Sequence, residues 1–385
     1  MPPEQNARDA LRNMLQYGDL SFRDFVEVAL YHPQFGYYSR GESPVGKEGD
    51  YVTSPTLSPV FAYGFGKLVR EFLGRAEGGV SSVVDVGCGD GALLRSLRMA
   101  GASFYGVDRS LARMDRSAIS DQRSGEAGDG EPLAPDRRSL IADHLAFVND
   151  IDQVPPTEFQ LIYSNELFDA FPFARLVQRG EHLHELWVTS DFDWTEREAA
   201  APYEDYFAAR GIELLDGQFA DISLDWEYEY RRLARRVTRG LLVTFDYGFP
   251  EKQLFDPRIR RFGTAASYSQ QRVTRDLLTN PGEQDLTAHI NFSDLIRAGE
   301  AEGLATLYFD RQAKFLLSLG ITDHPLFTPV TEVAIGSAEE GLALIQAREE
   351  ARRLVLPDGI GEDIRVLVQG RGVPSDGWSF QRKVF

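Results

Sequence analysis

Hydrophobic side chains recur at helical spacing near the start of the chain. Phe22, Phe25, Val26, Ala29 and Leu30 fall at i, i+3, i+4, i+7 and i+8 within Ser21 to Leu30, and Pro33 ends the stretch. A run dense in Gly, Pro and Tyr follows over residues 32–59, a loop of a length that usually serves function. A second helix is predicted over about Val60 to Leu73, closed by Gly78-Gly79. From Val80 the period changes. Short β-branched runs at Ser82–Val86, Ser103–Val107, Ser139–Ala142, Gln160–Ser164 and Leu241–Asp246 alternate with helical stretches, the pattern of a parallel sheet with crossover helices. Residues 115–138, polar and rich in Gly and Asp, are expected to form a mobile surface insertion. The tail adds a helix near Phe292–Glu302, an apolar run Leu304–Asp310, a helix near Ala338–Leu354 and a last strand at Ile364–Gln369.

This pattern divides the chain into an N-terminal helical segment (1–78), an α/β core (79–180 and 236–385) and an insertion (181–235). An insertion of that size in a crossover is expected beside the strand ends, where ligands bind in open α/β sheets. At 43% hydrophobic and 11% aromatic residues, the chain can bury a sizeable core.

The net charge of −18 works against a phosphate backbone as ligand and favours a basic partner, such as an Arg- or Lys-bearing protein segment. Cys88 is the sole cysteine, so no intrachain disulfide can form, in keeping with a reducing compartment. No apolar run approaches the roughly 18–20 residues of a membrane helix. The N-terminus lacks a signal-peptide core and an Arg-rich transit pattern, so a soluble cytoplasmic protein is expected, of undetermined oligomeric state.

The sharpest local signal is Asp85-Val86-Gly87-Cys88-Gly89-Asp90-Gly91, a strand running into a glycine turn and then a helix. Glycines there let the backbone approach a ligand. The dinucleotide fingerprint is G-x-G-x-x-G, whereas this loop is G-x-G-x-G with Asp85 two residues before it. Asp85 would repel a pyrophosphate but attract the ammonium of S-adenosylmethionine. The next strand ends in Asp108, placed to accept both ribose hydroxyls, and the third in Asp143, placed either to meet the adenine amine or to cap a helix.

The fourth strand ends in Asn165-Glu166-Leu167-Phe168-Asp169-Ala170-Phe171-Pro172. Base-amine methylases carry an Asn/Asp-Pro-Pro-aromatic tetrad at this point; here carboxylates stand instead of the prolines. Carboxylates clamp a guanidinium bidentately, which makes Asn165, Glu166 and Asp169 the candidate catalytic residues. In a helical turn Glu166 and Asp169 would share a face; as an alternative, Asn165 and Asp169 cap a following helix. Other motifs are weaker. Gly41 to Glu48 is one residue short of a P-loop and lacks its Ser/Thr, and His182-x-His184 lacks further metal ligands, so no metal is assigned.

The same residues resemble the MidA-like methyltransferases, the family of a mitochondrial complex I assembly factor that methylates a protein arginine. The likeness runs through residues 29–39, 45–55, 85–94, 164–172, 242–249, 281–292, 314–321 and 356–370. It implies a class I, Rossmann-like methyltransferase core, a family-specific second domain and S-adenosylmethionine as cofactor. It further implies that Gly46, Gly49, Asp50, Thr53, Ser54 and Pro55 fold over the cofactor, and that Asp246, Tyr247, Gly248 and His289 line the acceptor side. Two stretches depart from the family pattern: Gln271 stands where the family has His, and Thr56-Leu57-Ser58 replaces Glu-Ile-Ser. The expected function is methylation of a protein side-chain nitrogen, most specifically an arginine guanidinium. A small-molecule acceptor, or an assembly chaperone retaining its cofactor site, are the alternatives.

Overall fold

The computed structural model describes residues 4–39, 53–76, 79–110, 144–269, 272–328 and 337–384. The chain forms two compact units, each assembled from separated segments. One comprises Val52–Glu166, Tyr230–Asp246 and Ile296–Phe385; the other comprises Met1–Tyr51, Leu167–Glu229 and Tyr247–Leu295. The cuts fall elsewhere than at 78, 180 and 235. The helix Pro59–Gly74 joins the sheet unit, as do residues 230–235, and residues 247–295 join the unit that holds residues 181–229 of the insertion.

The first unit is built on a sheet whose strands, in chain order, are β1 (Ser81–Val86), β2 (Ser103–Val107), β3 (Leu145–Val148), β4 (Phe159–Asn165), β5 (Gly240–Phe249), β6 (Ala305–Arg311) and β7 (Ile364–Arg371). Their spatial order is β6-β7-β5-β4-β1-β2-β3. The pairs β1–β2, β1–β4, β2–β3 and β4–β5 are parallel, while β6–β7 is antiparallel. Strand order reverses between β1 and β4, and that switch point is where an open sheet binds ligands, at the carboxyl ends of its strands.

The central strands read as near-continuous apolar runs because both faces are covered: Val83, Val84, Leu161, Ile162, Leu241, Leu242 and Val243 are all fully buried. Helix Pro59–Gly74 starts at Ser58, whose hydroxyl accepts from the Val60 N–H at 3.4 Å. Its aromatic face seats Phe65 edge-on to Tyr163 and Phe245, with ring centroids 4.9 and 5.3 Å apart, and stacks Phe72 on Phe159 at 4.5 Å. The arginines of the basic stretch after Tyr230 are taken up inside the unit. Arg231 and Arg235 pair with Glu302, and Arg232 bridges Asp150 and Asp152.

The second unit carries an antiparallel sheet of Leu20–Ser21, His182–Val188, Ala174–Arg179 and Phe219–Ile222, with Trp194–Glu198 beside His182–Val188. Helix Phe22–Tyr31 begins at Ser21, whose hydroxyl accepts from the Asp24 N–H at 3.1 Å. The predicted stripe Phe22, Phe25, Val26, Ala29 and Leu30 is fully buried, in one cluster with Phe173, Val188, Leu277, Leu286 and Ala288. A buried carboxylate fastens another segment. Asp221 accepts from Arg175 at 2.6 Å and from the Thr264 and Ala265 N–H groups at 2.6 and 2.8 Å.

Candidate active site

At Val86 strand β1 gives way to the glycine loop. Gly87, Gly89 and Gly91 have φ of 77°, 56° and 73°, and these left-handed residues turn the chain into helix Ala92–Leu97. The turn is fastened to β2: the N–H groups of Gly87 and Cys88 donate to the Val107 carbonyl at 2.8 and 3.2 Å. Two of the glycines answer different demands. A Cβ on Gly91 would stand 2.6 Å from Phe147, whereas one on Gly89 would meet nothing within 4 Å among the described residues. Gly91 serves packing, and at Gly89 the described residues leave room for a ligand.

Asp108 follows β2. Its Oδ2 accepts from the Gly89 N–H and its Oδ1 from the Ser110 N–H, both at 2.9 Å. Two backbone donors thus orient the carboxylate. Asp85 lies opposite Tyr163 in the β1–β4 register, and the Tyr163 hydroxyl donates to Asp85 Oδ2 at 2.9 Å. Burial pushes the Asp85 carboxyl up to about 7; the Tyr163 hydrogen bond opposes that rise, and the charges of Asp108 and Asp90 add to it. A buried carboxylate in this position is stabilised by a cation. Burial, with Asp85 and Asp108 close by, also pushes up the Cys88 thiol, which makes it a poor nucleophile.

At the end of β4, Glu166 has φ of 51°, a left-handed conformation unusual for a residue with a Cβ. Its N–H donates to the Phe245 carbonyl at 2.8 Å, which continues the β4–β5 pairing and holds the turn. Glu166 Oε1 accepts from the Ser54 N–H and from Asn165 Nδ2, both at 3.2 Å. Ser54 is fully buried, its hydroxyl held by Gln312 Nε2 at 2.8 Å. Thr53 and Thr56 close a capping box around the same short helix, with Pro55 in its first turn. Asn165 Oδ1 and Gln312 Oε1 are buried and meet no donor among the described residues.

Several expectations change. Glu166 and Asp169 do not share a helical face: residues 166–171 bend and turn, with the Phe171 N–H on the Phe168 carbonyl at 3.1 Å. The next element is strand Ala174–Arg179, so neither Asn165 nor Asp169 caps a helix there. Strand Leu145–Val148 pairs with β2 and its carboxyl end leads into Asn149 and Asp150, while the expected strand Ser139–Ala142 lies outside the described residues. Asp143 itself lies outside the described residues, as do Gly46, Gly49, Asp50, Gln271 and the 115–138 insertion.

The sheet unit thus brings together the glycine loop, Asp85, Asp108, Thr53, Ser54, Pro55, Asn165 and Glu166, and it holds Asp246, fully buried, on β5. Asp169, Tyr247, Gly248 and His289 belong to the other unit. There the Asp169 carbonyl accepts from the Ala288 N–H at 3.1 Å, and the Tyr247 and His289 rings lie parallel with centroids 6.2 Å apart. Gly248 pairs with Ile290 so closely that a Cβ would stand 2.4 Å from the Ile290 carbonyl oxygen.

Tyr163 and Gln312 escape sequence reasoning. Tyr163 gains meaning only through register against Asp85, and Gln312, the first residue of helix Gln312–Ser318, shows no local signal of its own.

An open glycine edge, a fixed diol acceptor and a buried carboxylate suited to a cation fit an adenosine-bearing cation better than a dinucleotide. A family model described as "Putative S-adenosyl-L-methionine-dependent methyltransferase" matches residues 74–310. "Protein arginine methyltransferase NDUFAF7, mitochondrial" of Rattus norvegicus is 24% identical over 348 residues, covering 83% of this chain and 76% of that one. The Drosophila melanogaster homolog is 26% identical over 322 residues, covering 77% and 70%. The crystal structure of a Burkholderia thailandensis protein bound to S-adenosyl-homocysteine matches with a TM-score of 0.79 at 26% identity, over 99% of this chain and 98% of that one. With more than half of its length matched, the chain belongs to this family of S-adenosylmethionine-dependent methyltransferases, and S-adenosylmethionine is its cofactor.

Proposed function

We propose that the protein methylates a nitrogen of an arginine guanidinium in a protein substrate. The observation that carries this reading is the set of acceptors gathered at the end of β4. The Glu166 carboxylate is linked to Asn165 through the Asn165 amide nitrogen and to Gln312 through Ser54, and the amide oxygens of both residues, Asn165 Oδ1 and Gln312 Oε1, are buried and meet no donor among the described residues. A guanidinium has five N–H donors and no acceptor, so it complements such a set. The names of the relatives in Rattus norvegicus and Drosophila melanogaster, protein arginine methyltransferases, support the same reading.

The cofactor supplies an electrophilic methyl group on a sulfonium. In this reading Asp85 would hold its ammonium and Asp108 its ribose hydroxyls, with the Gly89 backbone close by. Glu166 would draw the guanidinium charge toward the nitrogens it binds, leaving the remaining nitrogen to take the methyl group in line as the S–C bond breaks, with S-adenosylhomocysteine as the leaving group and the N–H proton passing to water. Orientation of this kind is worth roughly 7–11 kcal/mol in the best intramolecular cases. The Glu166 backbone is held left-handed by its bond to Phe245 and its side chain by Ser54, so the carboxylate is fixed before a substrate arrives.

The test is incubation with labelled donor and an arginine-bearing peptide library, beside a matched library carrying lysine, using wild type and Glu166→Gln. Label in arginine peptides, lost in the variant, supports the reading. Label confined to lysine peptides or to small molecules of a lysate overturns it.

A further inference from the structure

The Tyr163 hydroxyl is fully buried on β4 and is committed to Asp85, the carboxylate assigned above to the ammonium of the donor. The geometry leaves it little else to do. Asp85 and Tyr163 are direct cross-strand partners in the parallel β1–β4 pair, at the switch point of the sheet. The Tyr163 ring is pinned edge-on by Phe65 of the helix Pro59–Gly74, at 4.9 Å between centroids. One oxygen of Asp85 takes the hydroxyl proton at 2.9 Å, which fixes the carboxylate plane.

The other charged and titratable groups around Asp85 would each disfavour its ionised form or leave it unaided. Asp108 after β2 and Asp90 in the loop are like charges, and the Cys88 thiol stays neutral. Among these groups Tyr163 is the one that supplies a hydrogen bond to the carboxylate.

We propose that Tyr163 is a positioning residue of the methyl-donor site, whose hydroxyl orients Asp85 and keeps it ionised so that it can hold the donor's ammonium. The proposal rests on the assignment of Asp85 to that ammonium. It predicts a signature that packing alone does not: dependence on the amino-acid end of the ligand, and on pH. Removing the hydroxyl raises the pH at which Asp85 gives up its proton. The loss of affinity should therefore be greatest at the acid end of the range and shrink as alkali ionises the carboxylate without help.

The experiment is calorimetric titration of S-adenosylhomocysteine and of methylthioadenosine, which lacks the amino-acid end, into wild type, Tyr163→Phe and Asp85→Asn between pH 6 and 9. For S-adenosylhomocysteine, Tyr163→Phe should bind about tenfold more weakly at pH 6, the order of a hydrogen bond to a charged group, and recover to within about twofold at pH 9. Methylthioadenosine should bind both proteins alike at every pH. Equal weakening of the two ligands, or a loss that does not change with pH, would overturn the proposal and leave Tyr163 a packing residue. If Asp85→Asn binds S-adenosylhomocysteine as wild type does, the assignment of Asp85 has failed, and the role of Tyr163 falls with it. A wild type that binds methylthioadenosine but not S-adenosylhomocysteine would have the same consequence.

Discussion

Gly91 and the ring of Phe147 adjoin so closely that no methyl group fits between them: a Cβ on Gly91 would stand 2.6 Å from Phe147 Cε1. Two residues earlier, a Cβ on Gly89 would meet no atom of the described residues within 4 Å. Gly91→Ala should therefore destabilise the sheet unit by about 2–4 kcal/mol, through overpacking added to left-handed strain. Gly89→Ala should cost only about 1 kcal/mol of strain yet weaken S-adenosylhomocysteine binding at least tenfold, because its methyl group stands where the ligand lies. Urea denaturation beside ligand titration separates the two. Equal loss of stability in both variants would mean that Gly89 is as enclosed as Gly91.

The Asp85 carboxyl sits at about 7 against an ordinary value of 3.8. The folded protein therefore keeps a proton that the unfolded chain releases, and the stability this gives is present below pH 4 and lost as pH rises through 7. Asp85→Asn removes that loss. In the ligand-free protein the gain in melting temperature of the variant over wild type should grow between pH 4 and 7 and level off above it. A gain that shrinks as pH rises would contradict the burial assigned to this group.

Glu166 occupies a left-handed backbone that a side chain tolerates poorly. Glu166→Gly relieves strain on the order of 1–2 kcal/mol while deleting the carboxylate. The variant should unfold at no lower denaturant concentration than wild type, bind S-adenosylhomocysteine normally and transfer no methyl group. Marked destabilisation would show that the carboxylate's bonds to Ser54 and Asn165 outweigh the strain.

Gln312 lies far from Glu166 in sequence and reaches it through Ser54, the amide holding the hydroxyl and the Ser54 N–H holding the carboxylate. Gln312→Leu should lower turnover with a tenfold or smaller effect on donor affinity, at a stability cost of about 1–2 kcal/mol for the lost bond. Steady-state kinetics with a methyl-accepting peptide read this directly; an unchanged kcat would reduce Gln312 to a buried structural amide.

In the second unit, Arg175→Ala would leave the Asp221 carboxylate, fully buried, with backbone donors and no cation. Breaking such a pair costs about 3–5 kcal/mol. Hydrogen exchange at Thr264 and Ala265, whose N–H groups Asp221 holds, should accelerate more than exchange in β1 and β4.

What the sequence discloses and what it hides follow from physical range. The helix stripe of Phe22, Phe25, Val26, Ala29 and Leu30, the strands around Val84 and Ile162 and the glycine turn are local signals, set by period and by backbone allowance within a few residues. The strand Leu145–Val148 beside β2 carries no period of its own that marks it, and its pairing with β2 is what reveals it. Glu166 and Asp169 illustrate the opposite limit. Their spacing suits a helix, but the bond from Glu166 to Phe245, formed from the far side of a long insertion, holds the chain in another conformation. Tyr163 and Gln312 matter through partners brought close by the fold, and no local pattern marks such pairs.

The interleaving of the two units constrains how the protein can be made. The last segment of the second unit ends at Leu295, before β6 and β7 exist, whereas the sheet that carries the donor loop needs residues up to Arg371. During synthesis the unit holding the Phe22–Tyr31 helix can close while the donor-binding unit still lacks an edge. A nascent chain stalled between those points would present β5 with an unpaired flank, so the interval between Leu295 and Arg371 is where translation speed and chaperone access should weigh most on yield.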